Sequence, residues 1–272
     1  MNRVDARFEK LRADGERAFI PYFAAGDPSL SATEELVLAA AEVGADVIEL
    51  GIPFSDPIAD GPSIQRATER ALRAGTTVEG IFRTVERIRE SSDVPLVLMT
   101  YFNPVAYRGV ERFCQEARQA GADGLIVPDL PVEDAEELLE AARAQELATI
   151  FLVAPTTPNE RIRRIADATR GFLYAVSLTG VTGARDAISP DLQPLLERVR
   201  RQTNKPVCVG FGISNPEQAR RVAQLADGVI VGSAIVNTVE AHLSEPQRLV
   251  GATREFIREL LTAVRSVRGP LR

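Results

Sequence analysis

Glu49 is the first residue that invites a chemical reading. It is the ionisable side chain in the apolar stretch Val47-Ile48-Glu49-Leu50. Desolvation raises the pKa of a carboxyl group, which suits an acid–base catalyst near neutral pH. The alternative is a buried structural carboxylate paired with an arginine. Asp60 follows in Gly51-Ile52-Pro53-Phe54-Ser55-Asp56-Pro57-Ile58-Ala59-Asp60-Gly61, a loop too long for a plain turn. Asp56 and Asp60 are each equally compatible with a turn or helix-cap role, and Asp129 in Val127-Pro128-Asp129-Leu130-Pro131 is a weaker candidate. A third feature is a set of glycine loops: Gly180-Val181-Thr182-Gly183, Gly210-Phe211-Gly212-Ile213-Ser214 and Gly232-Ser233-Ala234. Glycines let backbone N–H groups approach an anion closely, and Ser233 adds a hydroxyl, so phosphate binding there needs no cationic side chain.

These residues need elements to position them. Eight short apolar runs cross the chain: Ala18–Phe23, Asp46–Leu50, Pro95–Met99, Gly124–Val127, Thr149–Val153, Phe172–Val176, Pro206–Val209 and Gly228–Val231. They read as strands buried on both faces. Between them lie amphipathic helices, as in Val78, Ile81, Phe82, Val85 and Ile88, or Ile257, Leu260, Leu261 and Val264. Capping boxes are expected at Ser31/Glu34, Thr76/Glu79, Thr157/Glu160 and Ser214/Glu217. Ala122-Asp123-Gly124-Leu125-Ile126-Val127 is echoed by Ala226-Asp227-Gly228-Val229-Ile230-Val231, and more weakly by Ala45-Asp46-Val47-Ile48. Eight strand–helix alternations in 272 residues predict an α/β fold, a (β/α)8 TIM barrel in one domain spanning residues 1–272. An open doubly wound sheet is the less even fit. An extra helix over residues 2–14 is placed to plug the lower end, and a short phosphate-binding helix is expected after the eighth strand.

Barrel chemistry sits at the C-terminal ends of the strands. That excludes the two lysines: Lys10 lies in the leading helix, and Lys205 precedes the seventh strand. A single histidine, His242, cannot assemble a zinc site of several imidazoles, so no metal is expected. Cys114 and Cys208 read as buried core residues. The net charge of −6 argues against a non-specific nucleic-acid binder. No run of about 18 apolar residues predicts a membrane span, and the N-terminus lacks a signal-like apolar core, so the cytoplasm is the expected compartment. What remains is carboxylate acid–base chemistry on a small phosphorylated molecule.

The stretch Glu49-Leu50-Gly51-Ile52-Pro53-Phe54-Ser55-Asp56-Pro57-Ile58-Ala59-Asp60-Gly61-Pro62 resembles the signature of the tryptophan synthase alpha chain family. Gly26-Asp27-Pro28, Pro128-Asp129-Leu130-Pro131, Gly180-Val181-Thr182-Gly183 and Gly210-Phe211-Gly212-Ile213-Ser214 match in order, so the similarity spans essentially the whole chain. The resemblance implies a retro-aldol cleavage of indole-3-glycerol phosphate to indole and glyceraldehyde 3-phosphate. Glu49 matches the acid–base residue that moves protons at indole C3 and at the glycerol hydroxyl. Asp60 matches the carboxylate that binds the indole N–H. Tyr174 matches a tyrosine near the catalytic Glu. Tyr22, Tyr101 and Phe211 would line the indole pocket, and Thr182 would reach Asp60 on loop closure. Gly183, Gly212, Gly232 and Ser233 match phosphate-binding positions.

The resemblance also implies a partner, the beta chain of an alpha2-beta2 complex, which receives the indole and holds PLP; no cofactor is expected in this chain. Pro53, Asp56, Pro57 and Asn103 would form part of that interface. One departure is visible: Ser177-Leu178-Thr179 stands where some members carry Ser-Arg-Ala. A stand-alone lyase releasing free indole, and a mainly regulatory subunit, are the competing functional readings.

Overall fold

The computed structural model describes residues 2–176, 190–210 and 212–269. The chain opens with helix α1 (Arg3–Asp14) and then alternates strands and helices. The strand segments are β1 (Ala18–Ala24), β2 (Ile48–Gly51), β3 (Leu96–Met99), β4 (Gly124–Ile126), β5 (Ala148–Ile150), β6 (Leu152–Val153), β7 (Leu173–Val176), β8 (Val207–Gly210) and β9 (Gly228–Val231). Their order is β5-β4-β3-β2-β1-β9-β8-β7-β6, and every pairing is parallel. The two outermost segments are consecutive in the chain, separated by Phe151. They are the two halves of the fifth expected strand: β5 pairs with β4, and β6 pairs with β7. The sheet therefore meets itself through residues 150–152, as the barrel expectation requires.

The helices that follow the strands are α2 (Leu30–Val43), α3 (Pro62–Arg73) and α4 (Val78–Arg89), α5 (Phe102–Arg108) and α6 (Val110–Ala120), α7 (Glu136–Ala144), α8 (Asn159–Ala168), α9 (Leu192–Arg200), α10 (Pro216–Ala223), and α11 (Ser233–Ala241) with α12 (Pro246–Arg265). Their apolar stripes pack on the outward side chains of the strands, such as Phe19, Ile48, Leu96, Leu125 and Val229. The expected caps shift. Ser29, not Ser31, accepts the Ala32 N–H of α2, and Thr77, not Thr76, caps α4. Asn215 caps α10, with Pro216 at its first turn. Thr157 accepts the Ala154 N–H instead of capping α8. In each case the chain turns into the helix one or two residues away from the pattern match. No helix among the described residues is long and apolar enough to cross a membrane.

The barrel interior is a separate cluster. Ala18, Ile20, Val47, Val97, Ile126, Ile150, Cys208 and Ile230 point inward, and Val4, Phe8 and Leu11 of α1 close it from below. Phe8 lies 5.5 Å from Phe172, ring centre to ring centre. The Asn2 amide donates to the Asp123 and Glu146 carbonyls, which ties the plug to the lower rim.

The sequence echo has a physical meaning here. Asp46, Asp123 and Asp227 each precede a strand at the lower end. Each carboxylate accepts a backbone N–H from the strand before it: Phe19 (2.6 Å), Leu96 (2.9 Å) and Val207 (2.8 Å). The backbone N–H of each Asp donates to the carbonyl of the same partner residue. Repetition of Ala-Asp is thus repetition of a two-bond clamp between neighbouring strands.

Candidate active site

β1 and β2 run in register so that Tyr22 pairs with Glu49, and Glu49 pairs with Val97 of β3. Strand alternation turns Glu49 inward between Val47 and Gly51. The residue is 1% exposed, and its Oε2 has no hydrogen-bond partner among the described residues. Among the described residues no ion pair includes it, so the alternative of an arginine-paired structural Glu finds no support there. Burial, with the nearby Asp60 adding to it, pushes the Glu49 carboxyl up to about 8.

Asp60 closes the loop between β2 and α3. The N-cap of α3 is Gly61, with Pro62 in the first turn, so Asp60 is not consumed by capping. Burial raises its carboxyl to about 6, while the Tyr101 hydroxyl beside it acts in the opposite direction. Tyr101, which ends the loop after β3, also accepts the Ala59 N–H at 2.9 Å, and its ring lies 5.3 Å from that of Phe54. It therefore anchors the loop that carries Asp60.

Tyr22 and Tyr174 are buried and flank the two carboxyls; burial and the charges of Glu49 and Asp60 raise both phenols. Two glycines make room for them. A Cβ on Gly51 would fall 2.1 Å from the Tyr22 hydroxyl, and one on Gly210 would fall 2.3 Å from that of Tyr174. In the sequence Gly51 opens the long loop toward Asp60 and Gly210 opens a glycine loop; their contact with the tyrosines becomes visible only when the strands are side by side.

Across the mouth, Gly232 and Ser233 open α11, whose N-terminus has no side-chain cap. Orphan N–H groups at such an end favour an anion. Gly212 adopts φ +76°, a conformation costly for other residues. Thr182, Gly183, Phe211 and Ser177-Leu178-Thr179 lie outside the described residues. On the rim, Asp56 and Asn103 are exposed, and Pro53 and Pro57 are half-buried. Asp129 accepts the Phe102 N–H at 2.9 Å and so serves the start of α5. Lys205 donates to the Ala166 and Thr169 carbonyls at the lower end, and the His242 Nδ1 meets the Thr238 carbonyl oxygen at 2.8 Å. Among the described residues no cluster of His, Cys, Asp and Glu could hold a metal ion.

Two neighbouring carboxyls whose proton affinities differ are the usual equipment of acid–base catalysis. On a parallel (β/α)8 barrel they mark a candidate site of that class. The sequence takes the identification further. The family model described as tryptophan synthase alpha chain matches residues 8–265. The tryptophan synthase alpha chain of Chloroflexus aggregans is 49% identical over 268 residues, covering 98% of this chain and all of that one. That of Caldanaerobacter subterraneus subsp. tengcongensis is 47% identical over 260 residues, covering 96% and 98%. Among solved structures, the alpha subunit from Legionella pneumophila superposes with a TM-score of 0.91 at 38% identity, covering 98% and 100%. A chain of Mycobacterium tuberculosis tryptophan synthase gives 0.88 at 41% identity, covering 97% and 98%. The chain belongs to the tryptophan synthase alpha chain family, lyases of tryptophan biosynthesis that cleave indole-3-glycerol phosphate. Alpha chains carry no cofactor of their own; PLP resides in the beta chain.

Proposed function

We propose that Glu49 and Asp60 carry the cleavage, with Glu49 as the proton shuttle and Asp60 as the carboxylate that holds the indole N–H. The observation that supports this most is Glu49 itself, an inward carboxyl that among the described residues meets no cation and leaves Oε2 unpartnered. A group raised to about 8 holds its proton at neutral pH, whereas Asp60, near 6, is mostly ionised. Glu49 delivers its proton to indole C3, which leaves the ring an electron-accepting indolenine cation. The resulting carboxylate removes the proton from the glycerol hydroxyl. The carbon–carbon bond breaks, its electrons return to the ring, and the new carbonyl leaves as glyceraldehyde 3-phosphate. Glu49 ends as it began, protonated. Asp60 offsets the positive charge that develops on the ring nitrogen.

Tyr22, Tyr101 and Tyr174 supply walls for the indole, and Gly212, Gly232 and Ser233 supply donors for the phosphate. Phe211, Gly183 and Thr182 join these sets on the strength of the motif match. The beta chain is the proposed receiver of indole, in an alpha2-beta2 complex in the cytoplasm, with this chain acting as one barrel domain. Support for a docking rim comes from Ile58 and Tyr107, 83% and 94% exposed. They follow the neighbouring strands β2 and β3, close in sequence to Pro53, Asp56, Pro57 and Asn103.

The test is indole release from indole-3-glycerol phosphate, with and without a beta chain, alongside Glu49→Gln. Slow release alone, strong activation by the partner and loss of activity in the variant are expected. Fast release without a partner would favour a stand-alone lyase. No release in either condition would mean that the wrong substrate is assigned, and full activity in Glu49→Gln would overturn the residue assignment.

A further inference from the structure

Asp27 ends the turn after β1, and its side chain is only 3% exposed. Arg70 of α3 holds it with two bonds, Nε and Nη2 to the two carboxylate oxygens, each 2.8 Å. The remaining Nη1 of Arg70 donates at 2.8 Å to Glu240 of α11. Glu240 also accepts a fork from Arg66, at 2.8 and 2.7 Å. Arg66 and Arg70 share one face of α3. Beneath them Ile64 and Ala67 of α3 pack with Val236 of α11 and with Tyr22 and Ala24 of β1. The result is a rigid staple between two helices that have separate jobs. One, α3, begins at Pro62, two residues after Asp60. The other, α11, begins at Gly232 and Ser233.

Bidentate arginine–carboxylate pairs fix direction as well as distance. A lysine in place of Arg70 could not grip two carboxylates at once in this geometry. Holding a ligand at two ends multiplies affinity only when the spacing between the two grips matches the ligand.

We infer that Arg70 is a positioning residue that sets the span between Asp60 and the α11 N-terminus, and with it the length of substrate the mouth can hold at both ends. The inference rests on the reading of that N-terminus as the phosphate site. Arg70 touches neither end of the substrate. It acts through Asp27 and Glu240.

The test uses the full chain and three probes: indole, glycerol 3-phosphate, and a non-cleavable indole joined to phosphate through three carbons. In Arg70→Met the whole ligand is expected to lose at least about tenfold in affinity, while each half binds within about twofold of wild type. In turnover, KM rises and kcat falls together. Glu240→Gln, which keeps side-chain size on a partly exposed residue, is expected to show the same pattern at smaller amplitude. A merely structural role would weaken the halves as much as the whole, and that result overturns the inference. So does unchanged affinity for the whole ligand in both variants. A wild-type chain that binds indole but not glycerol 3-phosphate would instead overturn the phosphate assignment, and the inference would fall with its premise.

Discussion

The two ends of the barrel surround their buried carboxyl groups with different partners. At the lower end Asp123 is fully buried, yet it accepts from Arg3, from Arg89 and from the Leu96 N–H. Asp46 likewise accepts from Arg7, Arg265 and the Phe19 N–H. Higher on the same stave as Asp46, Glu49 is as deeply buried and, among the described residues, has neither an arginine nor a backbone donor. A buried carboxylate surrounded by donors is a joint; one without them keeps its proton and, on the proposed mechanism, serves as a reagent. Burial alone does not separate the two roles. Partners do.

This contrast is most easily broken at Glu49. Glu49→Gln is expected to lower kcat by about a thousandfold, the range of a lost general acid–base group. The same change is expected to stabilise the fold in alkali. The folded carboxyl titrates near 8 and an unfolded one near 4.5, so the folded state binds the extra proton between those values. Stability therefore falls as pH rises through that window, and Gln escapes the loss. Urea unfolding should show the variant gaining on wild type at pH 8 and not at pH 4. A variant that loses stability equally at both values would return Glu49 to the structural class.

Asp60→Asn comes next, at roughly a hundredfold in kcat. The wild-type pH profile of kcat/KM should be bell-shaped, falling below about 6 as Asp60 gains its proton and above about 8 as Glu49 loses its own. In the variant the acid limb should flatten and the alkaline limb remain. Persistence of both limbs would assign the lower one elsewhere.

The lower end should answer in the other currency. Asp123→Asn is expected to cost roughly 3 kcal/mol, because arginines and a backbone donor lose a buried charge. The protein that remains folded should turn over within about twofold of wild type. A large fall in kcat with stability intact would erase the distinction between the ends. The smallest effect is expected at Lys205→Met, about 1 kcal/mol for bonds to two carbonyls. Unchanged turnover there would also show that Lys205 forms no Schiff base with the substrate.

Much of this architecture was legible in the residue pattern because each strand announces itself locally. The eight apolar runs, the plug helix and the stranded charge of Glu49 need only neighbours in sequence. The break at Phe151 was not legible, since Thr149–Val153 reads as one apolar run and only pairing with two different neighbours divides it. The Asp clamps showed as a repeat without a role, because their partners lie on the preceding strand. The fit of Tyr22 over Gly51 and of Tyr174 over Gly210 joins residues brought together only by barrel closure. The helix caps were misplaced by one or two residues, at α2 and α4 where neighbouring hydroxyls compete and at α10 where Asn215 takes the place of Ser214. Asp129 resembled Asp60 in its loop setting, and the Phe102 N–H it accepts, against the burial of Asp60 beside Tyr101, sets it apart.

The most direct measurement is the titration of the Glu49 carboxyl itself, read as the protonated carboxyl stretch in infrared spectra of wild type minus Glu49→Gln. A band that persists through neutral pH and disappears with a midpoint near 8 is the predicted result. A carboxyl already ionised at pH 5 would contradict the account, since Glu49 would then be one more satisfied buried charge like Asp46.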